Sequence, residues 1–293
     1  MEIRVLRYFL AVAQERTISR AAAILHLSQP TLSRQLSDLE TELGVTLFDR
    51  GPREITLTPA GRYLQERARA ITQLVDKTAE NLQTPDPIIS GTLDIGAGES
   101  QGMQRLMNLS SHLQQDYPGI TLNLQSGDAT TVEAQLNDGR LDFGVILGDR
   151  AFTHYHALKL PERDCWGVIL PKTDPLAQQQ AIQPQDLVGR PLIISKQAAL
   201  TDRFRDWWRN TASQMTIVGT YNLIYNGQLL VRNGSCLALG LAKLVDIGPD
   251  SPLTFRPLAP AVTEPITVIW SQQQTLSPVA QLFLRRLQAD LAQ

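Results

Sequence analysis

The chain has 293 residues, enough for two or three domains. With 43% hydrophobic and 19% charged residues it has the balance of an ordinary globular protein. No apolar run reaches the roughly 18 residues that cross a bilayer, so a membrane partner is not expected.

Residues 1–86 hold 11 Lys plus Arg against 11 Asp plus Glu, and residues 87–293 hold 16 against 18, so no basic excess announces nucleic acid. Every base before Lys77 is nonetheless Arg, whose planar fork suits phosphate or guanine. Two cysteines, Cys165 and Cys236, make no disulfide framework. Glu2, Arg4 and Arg7 interrupt any signal-peptide pattern, and the expected location is the cytoplasm.

The first predicted helix covers about Glu2 to Gln14, with Leu6, Phe9, Leu10 and Ala13 on its buried side. Thr17 is placed to cap a second helix that packs through Ala21, Ala22, Leu25 and Leu27. His26-Leu27-Ser28 forms a short turn, and a third helix follows with both ends marked. Ser28 is an N-cap, Pro30 sits in the first turn where its missing N–H costs nothing, and Gly44 suits a left-handed C-terminal cap. Leu32, Leu36, Leu39 and Leu43 form one apolar stripe. Pro30, Ser33, Arg34, Ser37 and Thr41 fall on the opposite face, which is short-chained, polar and free of acids. Such a face can enter a major groove, where Gln, Ser and Arg bond base edges and backbone. The spacing is that of a helix-turn-helix, and the bland reading is a surface helical hairpin.

The stretches Phe9–Ala13, Ile18–Ala22, Leu27–Ser33, Leu39–Gly44, Leu47–Arg50 and Leu57–Gly61 resemble the LysR-type transcriptional regulators. The resemblance is strong to residue 61 and looser beyond. It implies a winged helix-turn-helix that binds double-stranded promoter DNA through Thr17, Ser28, Gln29, Pro30, Thr31, Ser33, Arg34 and Ser37. After Gly44, short strands near Leu47–Arg50 and Glu54–Leu57 make a wing with Arg50 and Arg53 at its tip. Each Arg is read as a phosphate contact or as a solvated surface residue.

Thr58 and Pro59 open a long helix to about Leu82, roughly 36 Å in length. Leu64, Ala68, Ile71, Val75, Thr78 and Leu82 step by 4, 3, 4, 3 and 4, a heptad seam that asks for a partner helix or for the chain's own body. The resemblance implies pairing of two subunits there, giving a homodimer or homotetramer. Thr84-Pro85-Asp86-Pro87 is a stiff hinge.

From residue 91, strand-like runs (Thr92–Gly96, Thr121–Gln125, Leu141–Leu147) alternate with helical ones (Met103–Asp116, Thr130–Asn137), the rhythm of a parallel sheet. A second set follows: strand Cys165–Leu170, strand Leu192–Ser195, helix Ala199–Asn210, strand Ile217–Tyr221, helix Tyr225–Asn233 and strand Cys236–Leu239. Strand Ile266–Trp270 and a helix near Ser277–Leu291 close the chain. The resemblance implies a two-lobed effector domain like periplasmic binding proteins, crossing lobes near Leu160 and returning near Glu264.

Gly96-Ala97-Gly98-Glu99-Ser100-Gln101-Gly102 invites a dinucleotide reading, but Gln101 stands where the third glycine belongs. A helix N-terminus facing a cleft fits better, with Glu99, Ser100 and Gln101 at an anionic or polar ligand or in a plain turn. Ser126, Asp128, Ser195, Lys196, Gln197, Tyr225 and Asn226 lie at strand ends or helix starts facing the same cleft. Lys196 is read as a carboxylate contact or a solvated lysine, and Tyr225 as a stacking or a core residue. His154, His156 and Cys165 do not make a convincing metal set, and no nucleophile or cofactor motif stands out, so neither metal nor cofactor is expected. Trp207-Trp208 reads as packing.

The expected organisation is α/β: a winged helix-turn-helix at 1–58, a linker and dimerisation helix with hinge at 59–87, and a two-lobed domain at 88–293 (lobe one 88–160 and 265–293, lobe two 161–264). Its seam residues are Leu64, Ala68, Ile71, Val75 and Leu82. The expected function is a non-enzymatic transcription regulator tuned by a small molecule, an organic acid or amino-acid-like compound. The rival is an enzyme or solute-binding protein built on the two-lobed domain.

Overall fold

The computed structural model describes residues 1–50, 55–82 and 89–292. The chain forms two compact units, Met1–Thr84 and Pro85–Gln293. In the first, α1 (Ile3–Glu15), α2 (Ile18–Ile24) and α3 (Gln29–Leu43) surround Leu6, Phe9, Val12, Leu32, Leu36 and Leu39, all at most 2% exposed. Ser28 caps α3, its hydroxyl accepting from the Thr31 N–H at 3.3 Å, and Gly44 ends the helix at φ +67°, a left-handed conformation most side chains resist. Strands β1 (Phe48–Arg50) and β2 (Ile55–Leu57) pair antiparallel as the wing.

Helix α4 (Pro59–Leu82) starts where the Thr58 hydroxyl accepts from the Gly61 N–H at 2.9 Å. A Cβ on Gly61 would sit 2.1 Å from the Leu47 carbonyl oxygen, so only glycine allows this helix so close to the wing. The first part of the seam packs on the chain's own body, one of the two readings that the heptad spacing left open. Leu64 and Ala68 are buried in the core of their own unit and Ile71 packs half-buried beside them, because α1 offers an apolar face to this stripe of α4. Arg7 of α1 is ion-paired with Asp76 of α4. Val75 is half-buried, Thr78 is exposed, and the side chain of Leu82 lies outside the described residues.

The second unit is built on one sheet ordered β4-β3-β5-β11-β6-β9-β7-β8, with β10 on β6. These strands are β3 (Gly91–Ala97), β4 (Ile120–Ser126), β5 (Phe143–Leu147), β6 (Tyr155–Pro171), β7 (Pro191–Ser195), β8 (Thr216–Tyr221), β9 (Leu237–Leu241), β10 (Leu253–Pro257) and β11 (Thr263–Ser271). Parallel pairs β3–β4, β3–β5, β7–β8 and β7–β9 follow from the helical crossovers between them. Helices α5 (Met103–Asp116), α6 (Ala129–Asn137) and α9 (Pro278–Leu291) cover the first half around Phe143 and Phe283; α7 (Lys196–Leu200) and α8 (Ile224–Arg232) belong to the second.

The 17-residue β6 carries the chain from one half to the other. Its start pairs with β11 from Tyr155↔Ser271 to Lys159↔Thr267, and its end pairs with β9 and β10. The return is through β11, where the register shifts between Pro265 and Thr267.

The helix expected at Ala199–Asn210 is instead short α7 followed by turns. Asp202 takes φ +49°, which no α-helix continues, and Phe204 turns into the core against Trp166 at 5.0 Å between ring centroids. Trp207 and Trp208 pack on Phe204, so the tryptophan pair serves packing.

Candidate functional sites

On α3, Gln29, Pro30, Thr31, Arg34 and Ser37 are exposed, Ser33 is half-exposed, and the leucine stripe faces inward except Leu43. No acid interrupts this face, though Arg34 has Asp38 3.9 Å away on the flank. Two assigned hydroxyls already have partners, since Ser28 Oγ and Thr31 Oγ1 lie 2.7 Å apart. Thr17 occupies the N-cap position of α2 without making a capping hydrogen bond. Its hydroxyl is buried and has no partner, which corrects the expected cap. Arg50 ends β1, but its side chain and the whole of Arg53 lie outside the described residues.

In the second unit a cavity of about 710 Å³ opens between the halves of the sheet. Of the expected residues, Glu99, Asp128, Ser195, Lys196 and Gln197 line it. The others do not. Gln101 and Ser126 are exposed off the cavity, Tyr225 is 67% exposed with neither a stack nor a core around it, and Asn226 borders a separate depression of about 550 Å³ beside Tyr221 and Cys236.

Ser100 is withdrawn for a physical reason. Ser100 Oγ accepts from the Gly102 N–H at 3.0 Å, and Asp164, buried on β6 beside Ser100 and the Gln101 and Gly102 N–H groups, sets a carboxylate of the chain itself near the start of α5, with its Oδ2 unpartnered. Burial, the largest cause, raises the pKa of Asp164, partly offset by these neighbouring groups, and neighbouring Glu264 adds to the rise. The glycines here serve packing: a Cβ on Gly96 would stand 2.4 Å from Leu141, and one on Gly102 2.1 Å from Ile266.

The two helix starts at the cavity are likewise occupied. Asp128 caps α6 through the Thr131 N–H at 2.9 Å, and this bond, with the Thr131 hydroxyl and the charge of Lys196, lowers its pKa. Glu99, at the end of β3, accepts from the Ile224 N–H at 2.9 Å and so ties the first half of the sheet to the start of α8. Gln197 adds a second tie, donating to the Leu147 carbonyl at 3.4 Å. Burial, with Glu99 nearby, pushes the Tyr221 hydroxyl pKa up.

Sequence reading missed the floor of the cavity. Glu264, 4% exposed, accepts from Trp166 Nε1 at 2.8 Å and from Arg203, while Arg203 also donates to the Thr263 carbonyl at 2.6 Å. These residues are far apart in the chain, and only the β6–β11 pairing, which sets Glu264 opposite Asp164, brings them together. No local motif marks them.

Two family models cover nearly the whole chain. Residues 3–62 match the bacterial regulatory helix-turn-helix protein, lysR family, and residues 89–292 match the LysR substrate binding domain. A helix-turn-helix joined to a two-lobed α/β unit is the class that the fold defines, and the chain belongs to the LysR family. A probable RuBisCO transcriptional regulator of Synechocystis sp. is 35% identical over 184 residues, 62% of this chain and 53% of that protein. YybE of Bacillus subtilis, an uncharacterized HTH-type transcriptional regulator, is 27% identical over 97% of both chains. The chain therefore spans about half the length of the Synechocystis relative and nearly all of YybE. Among solved structures, full-length CbnR in complex with its target DNA superposes with a TM-score of 0.79 at 21% identity over 99% of both chains.

Proposed function

We propose that the protein is a sequence-specific, DNA-binding transcriptional regulator, active as a homo-oligomer in the cytoplasm and modulated by a small molecule held in the cavity of its second unit. The observation that carries this reading is α3: a helix capped at both ends, buried by its leucines, with an outward face of Gln29, Pro30, Ser33, Arg34 and Ser37 that holds no acid. In this reading Gln29, Pro30 and Ser33 meet base edges, and Thr31 and Arg34 meet phosphate. Arg50 and Arg53 of the wing belong to the same proposed surface, as do Thr17, at the start of α2, and Ser28.

Membership of the LysR family supports this, as does the likeness to a DNA-bound structure. The relatives that match carry names of transcription regulators, which fits a protein without catalysis. No described helix is long and apolar enough to cross a membrane.

The mechanism we infer is a population shift. A ligand that prefers one spacing of the two halves changes the geometry of the assembled subunits and so the spacing and bend of bound DNA. For assembly, Leu64 and Ala68 are spent within their own unit, and the stripe left exposed on α4 runs through Tyr63 and Leu74, 65% and 45% exposed. With Val75 at its edge, this stripe is the better seam for a second copy. Selection of genomic fragments by the purified protein, followed by footprinting, tests the reading. A protected site with two related half-sites is the expected result, and binding without sequence preference would overturn it.

A further inference from the structure

We propose that the cavity takes a small zwitterion, an α-amino acid or close analogue, in preference to a simple anion; this rests on the effector-cavity reading above and names its ligand class. The two helix starts that line the cavity, which would otherwise attract an anion, already hold carboxylates of this chain: Asp128 on α6 and Glu99 on α8. What remains unmatched has the opposite sign. Glu264 lines the cavity, and while its Oε1 accepts from Trp166 and Arg203, its Oε2 is buried with no hydrogen-bond partner. A buried carboxylate oxygen without a donor is costly, and a ligand N–H supplies the missing donor. Beside it stands Gly148, whose missing Cβ would lie 3.7 Å from Oε2.

Two cations of the lining complete the pattern. Arg163 donates from Nε to the Thr263 hydroxyl at 3.0 Å, and Lys196 acts on Asp128 only at a distance. Neither is in an ion pair among the described residues, so both are open to a carboxylate. An ammonium toward Glu264 and a carboxylate toward Arg163 or Lys196 satisfies both ends at once. A simple organic acid leaves the Glu264 oxygen unmatched, and a phosphate ester brings further negative charge against it.

The test is calorimetric titration of the full chain with three matched panels: free L-α-amino acids, the corresponding α-hydroxy acids, and the corresponding amines lacking the carboxylate. At least one amino acid is expected to bind, with its hydroxy acid and its amine each about tenfold weaker or worse. Glu264→Gln keeps the shape and an acceptor for Trp166 and is expected to erase the preference for ammonium over hydroxyl. If that variant fails to fold, the double variant of exposed residues, Arg163→Gln with Lys196→Gln, serves, and is expected to erase the preference for amino acid over amine. A hydroxy acid binding as tightly as its amino acid, variants that keep the wild-type preferences, or no amino acid binding at all would overturn the proposal. Ser195→Trp, which fills the cavity, separates the two readings. An amino acid that binds it as well as wild type places the site elsewhere and removes the cavity reading too. An anion that binds wild type but not Ser195→Trp overturns the ligand class alone.

Discussion

Arg34 is the one cation on the outward face of α3, and Asp38, 3.9 Å away on an exposed flank, is too weak a partner to hold it from phosphate. Arg34→Ala is expected to weaken binding to all DNA sequences alike and to flatten the slope of log affinity against log salt by about one unit. Gln29→Ala and Ser33→Ala are expected to relax preference at one position of each half-site, at about 1–3 kcal/mol. Binding isotherms at several salt concentrations on matched and mutated sites decide this, and an unchanged slope in Arg34→Ala rules out its phosphate role. Asp164 carries a pH prediction. Its pKa is raised in the fold, so the native state holds its proton more tightly than the unfolded chain. Its contribution is fully present below the unfolded-state pKa and is lost as pH rises through the folded one. Asp164→Asn, which keeps an acceptor oxygen beside Ser100, is expected to gain in melting temperature relative to wild type as pH rises from about 4 to 7. A difference that stays flat across that range would refute it.

Among the elements, α4 has two faces with different tasks. Its inner face, Leu64, Ala68 and buried Thr72, belongs to the core of the DNA-binding unit. Leu64→Ala there is expected to cost about 2–5 kcal/mol of that unit's stability, readable by chemical denaturation. Its outer face is available to another copy. Tyr63→Asp with Leu74→Asp puts like charges into the proposed seam, and the expected outcome is loss of the oligomer with folding retained. Light scattering that still reports the parent mass would move the interface elsewhere. The next place to look is β8 with α8, where Ile217, Val218, Leu229 and Leu230 are all at least 41% exposed on an edge of the sheet.

For the whole molecule, the proposed DNA reading and the proposed ligand sensing fall to separate compact units. Ser195→Trp is therefore expected to abolish any ligand effect on DNA binding while the ligand-free affinity stays within about twofold, since additivity holds between independent sites. A mobility-shift titration with and without ligand shows this directly, and loss of basal binding would mean that the cavity also shapes the DNA-bound state. Glu99 is the counterpart device. Its bond to the Ile224 N–H ties the two halves of the sheet together across the cavity.

Local chemistry was enough for the DNA-binding unit. Ser28, Pro30, Gly44 and the leucine spacing are short-range signals that act within one helix, and α3 forms where they place it. The alternation of strands and helices after residue 91 likewise gave the parallel pairs, because a strand followed by a crossover helix has few ways to return to its sheet. The sequence by itself did not say which stripe of α4 its own unit would bury. A heptad records that a face is apolar, and only the position of α1 decides what covers it. Nor did it say that Ser100 would lie beside Asp164, 64 residues on, or that Asp202 would end a helix so that Phe204 could reach Trp166. The floor of the cavity, with Glu264 held by Trp166 and Arg203, exists because two distant strands pair in one register. A register set by packing between remote segments leaves no mark on the residues either side of it, so that part of the protein was decided by the tertiary structure alone.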